Sequence, residues 1–339
     1  MSAHDLPLGP LMIDIAGSTL TALDIERLRH PLVGGIILFA RNYENPLQLS
    51  ALCESIHLLR NPPLPIAIDH EGGRVQRCRE GFTRLPAMRE LGLWWQEDRL
   101  AATEGAYAIG YLLAAELHQC GVDFSFTPVL DLEWGRSSVI GDRAFHADAA
   151  TVTELAGALI KGLKAAGLGC CGKHFPGHGW VAADSHVAQP VDERSFAQLA
   201  PDMLPYRHLA LDAVMPAHVI YPQVDSRPAG FSPVWLDILR NDVGFEGVIF
   251  SDELSMEGAG VVGGIVARVE AAWSAGCDML LVCNSPEGVA ELLADWHPVL
   301  NAISATRIEK LSPKLPWTID ENQYALGKAA IATITERMI

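Results

Sequence analysis

Nothing in this chain approaches the ~20 consecutive apolar residues that a membrane-spanning helix requires. The opening Met1-Ser2-Ala3-His4-Asp5-Leu6-Pro7 also lacks the basic and continuously apolar regions of a secretory signal. Both absences lead us to expect a cytoplasmic protein. Basic residues are few, 25 Lys and Arg against 41 Asp and Glu among 339 residues, for a net charge of −16. With no basic stripe to offset that charge, nucleic acid and anionic membrane surfaces are excluded as expected partners. The cysteines, Cys53, Cys78, Cys120, Cys170, Cys171, Cys277 and Cys283, are odd in number and contain no CxxC pair. That rules against a disulfide framework and a cysteine zinc site, and reads as reduced core thiols in a reducing compartment. Repeats, low-complexity tracts and linkers are absent as well.

What is present is an apolar content of 49% and a mean hydropathy of +0.18, enough for a large buried core. Eight short apolar runs occur in order: Pro10–Ile15, Gly35–Phe39, Pro65–Ile68, Phe124–Leu130, Gly169–Gly172, Ala213–Pro216, Gly247–Phe250 and Met279–Val282. They lack polar alternation, as strands of a parallel sheet covered on both faces do. Helical periodicity fills several gaps. Ala106, Ile109, Leu113 and Leu117 precede Gly121; Val152, Leu155, Leu159 and Leu163 precede Gly167; Ile265–Ala275 precedes Gly276. A polar or ionisable residue follows nearly every run, among them Asp69, Asp131, Lys173, His218, Asp252 and Asn284. A closed sheet gathers all strand ends at one mouth, whereas an open doubly wound sheet gathers only those at its switch point. The pattern therefore predicts a single (β/α)8 TIM-type barrel over residues 1–339, with the active site at the carboxyl ends of its strands. Terminal helices are expected at about 300–339, broken near Pro313 and Pro316.

Four segments carry chemistry. Gly172-Lys173-His174-Phe175-Pro176-Gly177-His178-Gly179, with Asp184-Ser185-His186 close behind, places one Lys, three His and one Asp on a Gly- and Pro-punctuated loop after a strand. His174 and His178 are four apart, but Pro176 and Gly177 deny the helix on which that spacing makes a zinc pair, so no metal is expected. Lys173 reads either as a Schiff-base lysine or as a donor to substrate hydroxyls. Asp184 beside His186 offers an oriented imidazole for general acid and base work. In Val248-Ile249-Phe250-Ser251-Asp252-Glu253, successive carboxylates point different ways, so one faces a pocket while the other packs against loops; a helix N-cap is the bland alternative. Ile68-Asp69-His70-Glu71-Gly72-Gly73-Arg74-Val75-Gln76-Arg77 couples a strand-end carboxylate to two arginines at helical-turn spacing. That suits a polyol or sugar, or a loop-bracing ion pair in which Glu71 is the leading participant. Arg143, in Val139-Ile140-Gly141-Asp142-Arg143-Ala144-Phe145, is informative only in such company.

Taken together, IDHEGGRVQR, VIGDRAF, GKHFPGHG with DSH, MPAHVIYP and GVIFSDELSM resemble glycoside hydrolase family 3, in particular its single-domain bacterial β-N-acetylhexosaminidase branch. The motifs run in order from about Ile66 to Met256. The resemblance implies a barrel, retention of configuration and a covalent glycosyl-enzyme intermediate, with no cofactor. It makes Asp252 the nucleophile and His186 the acid/base, oriented by Asp184. It assigns Asp69, Arg77, Arg143, Lys173 and His174 to holding an N-acetylglucosaminyl unit. The implied partner is a small soluble saccharide from peptidoglycan fragments, handled by a monomer or weak oligomer. Two positions depart from the pattern: His70 stands where Gln is expected, and Glu253 where Asp is expected. Phosphorolysis, Schiff-base aldol chemistry at Lys173 and sugar binding without catalysis are the competing readings.

Overall fold

Each of the eight apolar runs coincides with a strand: β1 (Leu11–Ile13), β2 (Val33–Leu38), β3 (Ile66–Ile68), β4 (Phe124–Ser125), β5 (Gly169–Phe175), β6 (Ala213–Pro216), β7 (Val248–Ile249) and β8 (Leu280–Val282). We describe a computed structural model covering residues 6–182, 189–256, 259, 263–313 and 317–338. Asp184 and His186 lie outside the described residues. The strands are buried on both faces because helices cover one side and aromatic and aliphatic side chains fill the other. Inside the curl, the rings of Phe124, Phe126 and Phe250 meet with centroids 5.1–5.7 Å apart. Truncating Phe250 would remove about 3–5 kcal/mol of burial and packing.

The helices start and stop where local chemistry tells them to. Thr21 and Asp24 form a capping box for α1 (Ala22–Leu28), and Asn45 caps α2 (Pro46–His57), which begins on Pro46. These side chains take up N–H groups that have no partner within the first helical turn. α3 (Met88–Glu97) and α4 (Arg99–Gln119) follow β3. Then come α5 (Ala149–Ala165), α6 (Ala200–His208), α7 (Pro233–Asp237), α8 (Ile265–Ala275) and α9 (Pro286–Asp295). α8 ends as its sequence requires, because Gly276 takes φ 114°, a left-handed conformation that side chains oppose. The terminal helices are α10 (Ala302–Glu309) and α11 (Glu321–Arg337). Pro313 lies in the break between them, and Pro316 is outside the described residues. α11 docks on α4, where the Tyr324 hydroxyl donates to Glu116 at 2.8 Å.

The sheet corrects the expectation of a closed barrel. All its ladders are parallel and its order is β7-β6-β5-β4-β3-β2-β1-β8, so chain neighbours are sheet neighbours from β1 to β7, while β8 lies beside β1. The two ends of that order, β7 and β8, share no ladder, and a single bridge from Phe250 to Met279 joins them. The molecule is therefore an α/β fold built on a curled parallel sheet with a seam. Side-chain bonds also cross the seam, as they do between laddered strands at Asp123 and Asp212. Asp278 accepts the Ile249 N–H at 2.9 Å, and the Ser251 hydroxyl accepts the Leu281 N–H at 2.9 Å.

All seven cysteines are buried and unbridged. Among the described residues no helix is long and apolar enough to cross a membrane.

Candidate active site

Parallel strands deliver their carboxyl ends to one side of a sheet, and there a cavity of about 590 Å³ opens. Phe39, Asp69, Phe126, Lys173, Met215 and Asp252, from β2 through β7 in order, line it. The polar strand-end residues that the sequence offered are thus largely brought together, and they fall into two groups.

The first group is an ion-paired floor. Lys173, its side chain 4% exposed, places Nζ 2.9 Å from Asp69 Oδ1 and 2.7 Å from Glu71 Oε1. Arg143 grips Glu71 through both carboxylate oxygens, at 2.8 and 2.9 Å, and Arg77 Nη2 lies 3.2 Å from Asp69 Oδ2. Burial alone would raise the Asp69 and Glu71 carboxyls, but the neighbouring cations outweigh it and hold both below their ordinary range. Burial likewise pulls at Lys173, yet the two carboxylates keep its ammonium more firmly protonated than a free lysine. An amine nucleophile needs the opposite shift, so the Schiff-base reading of Lys173 loses its chemical basis. Glu71 does brace, as its sequence position suggested, but its partners are Lys173 and distant Arg143.

Arg74 and Arg77 depart from the expected helical spacing. His70–Gly72 and Val75–Gln76 form a small antiparallel hairpin, turned by Gly72 at φ 119° and Gly73 at φ 54°. Arg77 consequently reaches Asp69, while Arg74 turns to Asp142 at 3.2 Å and to the carbonyls of residues 138–140.

His174 is held by a residue that motif reading passed over as a site member. Asp131, fully buried, accepts from His174 Nδ1 at 2.7 Å and from the backbone N–H of His178 at 2.7 Å. Burial works to raise the Asp131 carboxyl, but the two histidines bring it below its ordinary value. Its signal in the sequence was an aspartate directly after the fourth apolar run. His178 is also buried, and burial lowers its pKa, so its imidazole is neutral. The rings of His174 and His178 stand 5.9 Å apart, edge to face. Among the described residues no three His, Cys, Asp or Glu gather as metal ligands.

The second group lies along the seam. Asp252 reaches the cavity wall, and its Oδ1 accepts the Glu253 N–H at 2.8 Å. Glu253 turns toward the loop after β8. Its Oε1 accepts from Ser255 N at 2.8 Å and Cys283 N at 3.2 Å, and its Oε2 accepts from the Cys283 thiol. Burial pushes the Glu253 carboxyl up to about 7. His218, kept neutral by burial, donates Nε2–H to the Glu253 carbonyl at 2.9 Å. Among the described residues no helix begins at Ser251 or Asp252, so the capping alternative does not apply.

A cavity with a charge-compensated floor of hydroxyl-binding groups and a strand-end aspartate on its wall is the equipment of an enzyme acting on a polyhydroxylated substrate. The chain matches the glycosyl hydrolase family 3 N-terminal domain over residues 13–310. It is 58% identical over 311 residues to a beta-hexosaminidase of Methylobacillus flagellatus, covering 90% of this chain and 89% of that one. It is 61% identical over 314 residues to a beta-hexosaminidase of Bordetella avium, covering 91% and 89%. NagZ from Neisseria gonorrhoeae, solved in complex with N-trifluoroacetyl-D-glucosamine, superposes with a TM-score of 0.92 at 48% identity, over 97% of this chain and 99% of that one. The chain belongs to glycosyl hydrolase family 3 and is a glycoside hydrolase.

Proposed function

We propose that this enzyme is a retaining exo-β-N-acetylglucosaminidase that removes terminal, non-reducing β-linked N-acetylglucosamine from soluble peptidoglycan fragments, muropeptides among them. The observation that carries the reading is the presence of Asp252 in one cavity with the Asp69–Lys173–Glu71–Arg143 network and the Asp131-oriented His174. Similarity to beta-hexosaminidases and to NagZ supports the N-acetylated sugar as its substrate.

In this mechanism a carboxylate oxygen of Asp252 attacks the anomeric carbon as the bond to the leaving oxygen breaks. His186 gives that oxygen its proton, and Asp184 keeps the imidazole oriented and stabilises its charged form. The product of this step is a glycosyl ester on Asp252. Water, deprotonated by His186, then attacks the same carbon, frees the Asp252 carboxylate and releases the sugar with its original configuration. Asp69 accepts sugar hydroxyls, while Lys173, Arg77, Arg143 and His174 donate to ring substituents. Lys173 has three N–H donors and uses two on Asp69 and Glu71, leaving one for substrate. No cofactor is required. Unbridged thiols suit a reducing compartment, and we assign the enzyme to the cytoplasm, acting as a monomer or weak oligomer.

The test is hydrolysis of p-nitrophenyl N-acetyl-β-glucosaminide and the matching β-glucoside by wild type, Asp252→Ala and His186→Ala. Cleavage confined to the acetamido substrate, a loss on the order of 10⁴-fold in Asp252→Ala, and a His186→Ala defect that grows with poorer leaving groups are expected. An active Asp252→Ala enzyme would remove the nucleophile assignment. Sugar-1-phosphate formed on adding phosphate would identify a phosphorylase instead.

A further inference from the structure

The seam between β7 and β8 carries a single bridge and no ladder, and the proposed nucleophile stands at its upper end. Moving up from the Phe250–Met279 bridge, the bonds across it alternate. Ser251 N donates to Met279 O at 2.8 Å, the Ser251 hydroxyl accepts from Leu281 N at 2.9 Å, and Leu254 N donates to Leu281 O at 2.9 Å. Level with Asp252 the next ties are made by Glu253 and Ser255 side chains, both to residue 283. Glu253 takes the Cys283 N–H and thiol, and the Ser255 hydroxyl donates to the Cys283 carbonyl at 3.0 Å.

The far side of this clamp is itself fixed. Asn284, at φ 56°, donates its N–H to Asp14 Oδ2 at 2.9 Å and accepts from Arg41 Nη1 at 2.9 Å, while Arg41 and Asp14 are ion-paired. Asp14 directly follows β1, so residue 283 is anchored to the β1 end of the sheet. On the near side, His218 beyond β6 holds the Glu253 carbonyl. The residue carrying Asp252's neighbouring peptide is thus fastened to three separate strands' loops.

We infer that Glu253 is a positioning residue for the glycosyl-transfer step: its side chain, by spanning the seam to Cys283, fixes the backbone from which Asp252 reaches the anomeric carbon. This inference rests on the reading of Asp252 as nucleophile. It also accounts for one of the two departures from the family pattern. Aspartate, expected at this position, is one methylene shorter and falls short of a bidentate reach to both the Cys283 N–H and its thiol. In this chain the longer carboxyl and Cys283 work as a matched pair. Among the described residues, Cys283 and Ser255 face the Glu253 carboxyl by hydrogen bond, with Asp252 beside it and His218 on its own carbonyl.

The experiment compares kcat on p-nitrophenyl N-acetyl-β-glucosaminide with the Ki of N-acetylglucosamine in wild type, Glu253→Gln and Glu253→Asp. Melting curves establish the folded fraction. Glu253→Gln keeps length and acceptor oxygen and is expected within about threefold of wild-type kcat. Glu253→Asp is expected to lose on the order of 10- to 100-fold in kcat, the cost of a nucleophile displaced by up to an ångström, with Ki changed less than about twofold. A Glu253→Asp enzyme with wild-type kcat overturns the inference, as does a Glu253→Gln enzyme as damaged as Glu253→Asp. If Glu253→Asp does not fold, Ser255→Ala carries the test: a threefold or greater fall in kcat at unchanged Ki supports the clamp, and wild-type kcat overturns it. An inert wild type, or an active Asp252→Ala, would instead defeat the functional reading on which the clamp depends.

Discussion

The two walls of the cavity are built on opposite principles. The floor around Lys173 is held by charge: Asp69 and Glu71 against Lys173, Arg77 and Arg143, every pairing at 3.2 Å or less. Among the described residues the seam wall around Asp252 has no cation bonded to Glu253, and is held by backbone N–H groups, a thiol and a neutral histidine. A network of buried ion pairs is rigid because each member is costly without its partner. It suits the task of presenting the same hydroxyl-binding groups at all times. A nucleophile has a different need. It must meet the anomeric carbon from a fixed direction, and the neutral donors that hold the Glu253 side chain and carbonyl serve that placement.

Three predictions follow this contrast in order of size. Glu71→Ala strips Lys173 and Arg143 of their shared carboxylate and should cost about 3–5 kcal/mol of stability by urea denaturation, because buried Lys173 and half-buried Arg143 lose the anion between them. A loss below about 1 kcal/mol would mean the floor is not rigid by ion pairing. The seam should instead show itself through pH. Glu253 is raised from 4.5 to about 7, so the folded state holds its proton more tightly than the unfolded chain. Its contribution is complete below pH 4.5 and is lost as pH rises toward 7, by roughly 2–3 kcal/mol. His70 has the reverse sign, being pushed down to about 3 by burial and by Arg77, and loses stability as pH falls below 6.5. The difference between wild type and Glu253→Gln isolates the carboxyl: the variant should gain relative stability between pH 4.5 and 7, and a flat difference would sharpen the contrast against us. The smallest effect is at the floor's edge. Asp69→Asn keeps the shape but loses a charged acceptor, and kcat/KM should fall about 10- to 100-fold, chiefly through KM. A fall confined to kcat would move Asp69 from the binding side to the chemical side.

Much of this was legible in the residues. Continuous apolar runs located every strand of the main sheet, because strands covered on both faces tolerate little else. Gly121, Gly167 and Gly276 marked helix ends because each adopts positive φ. Polar residues after the runs marked the cavity. The seam was not legible: the run Met279–Val282 reads like the other strands, and periodicity does not register which neighbour a strand pairs with. Nor was the hairpin at Gly72-Gly73, since Arg74 and Arg77 share the same three-residue spacing in a helix and across a turn. The partnership of Glu71 with Arg143 joins residues 72 apart, and Asp131 gave only a strand-end carboxylate. Asp184 and His186 rest on their motif alone.

The most direct test of the account is to trap the glycosyl-enzyme. A fluorinated N-acetylglucosaminyl fluoride, whose ring fluorine slows both steps while its fluoride leaving group speeds only the first, is incubated with wild type and the digest is read by mass spectrometry. The account predicts one adduct per chain, on the peptide carrying Asp252, and none in Asp252→Ala. Turnover without any adduct, or an adduct on another residue, would contradict it.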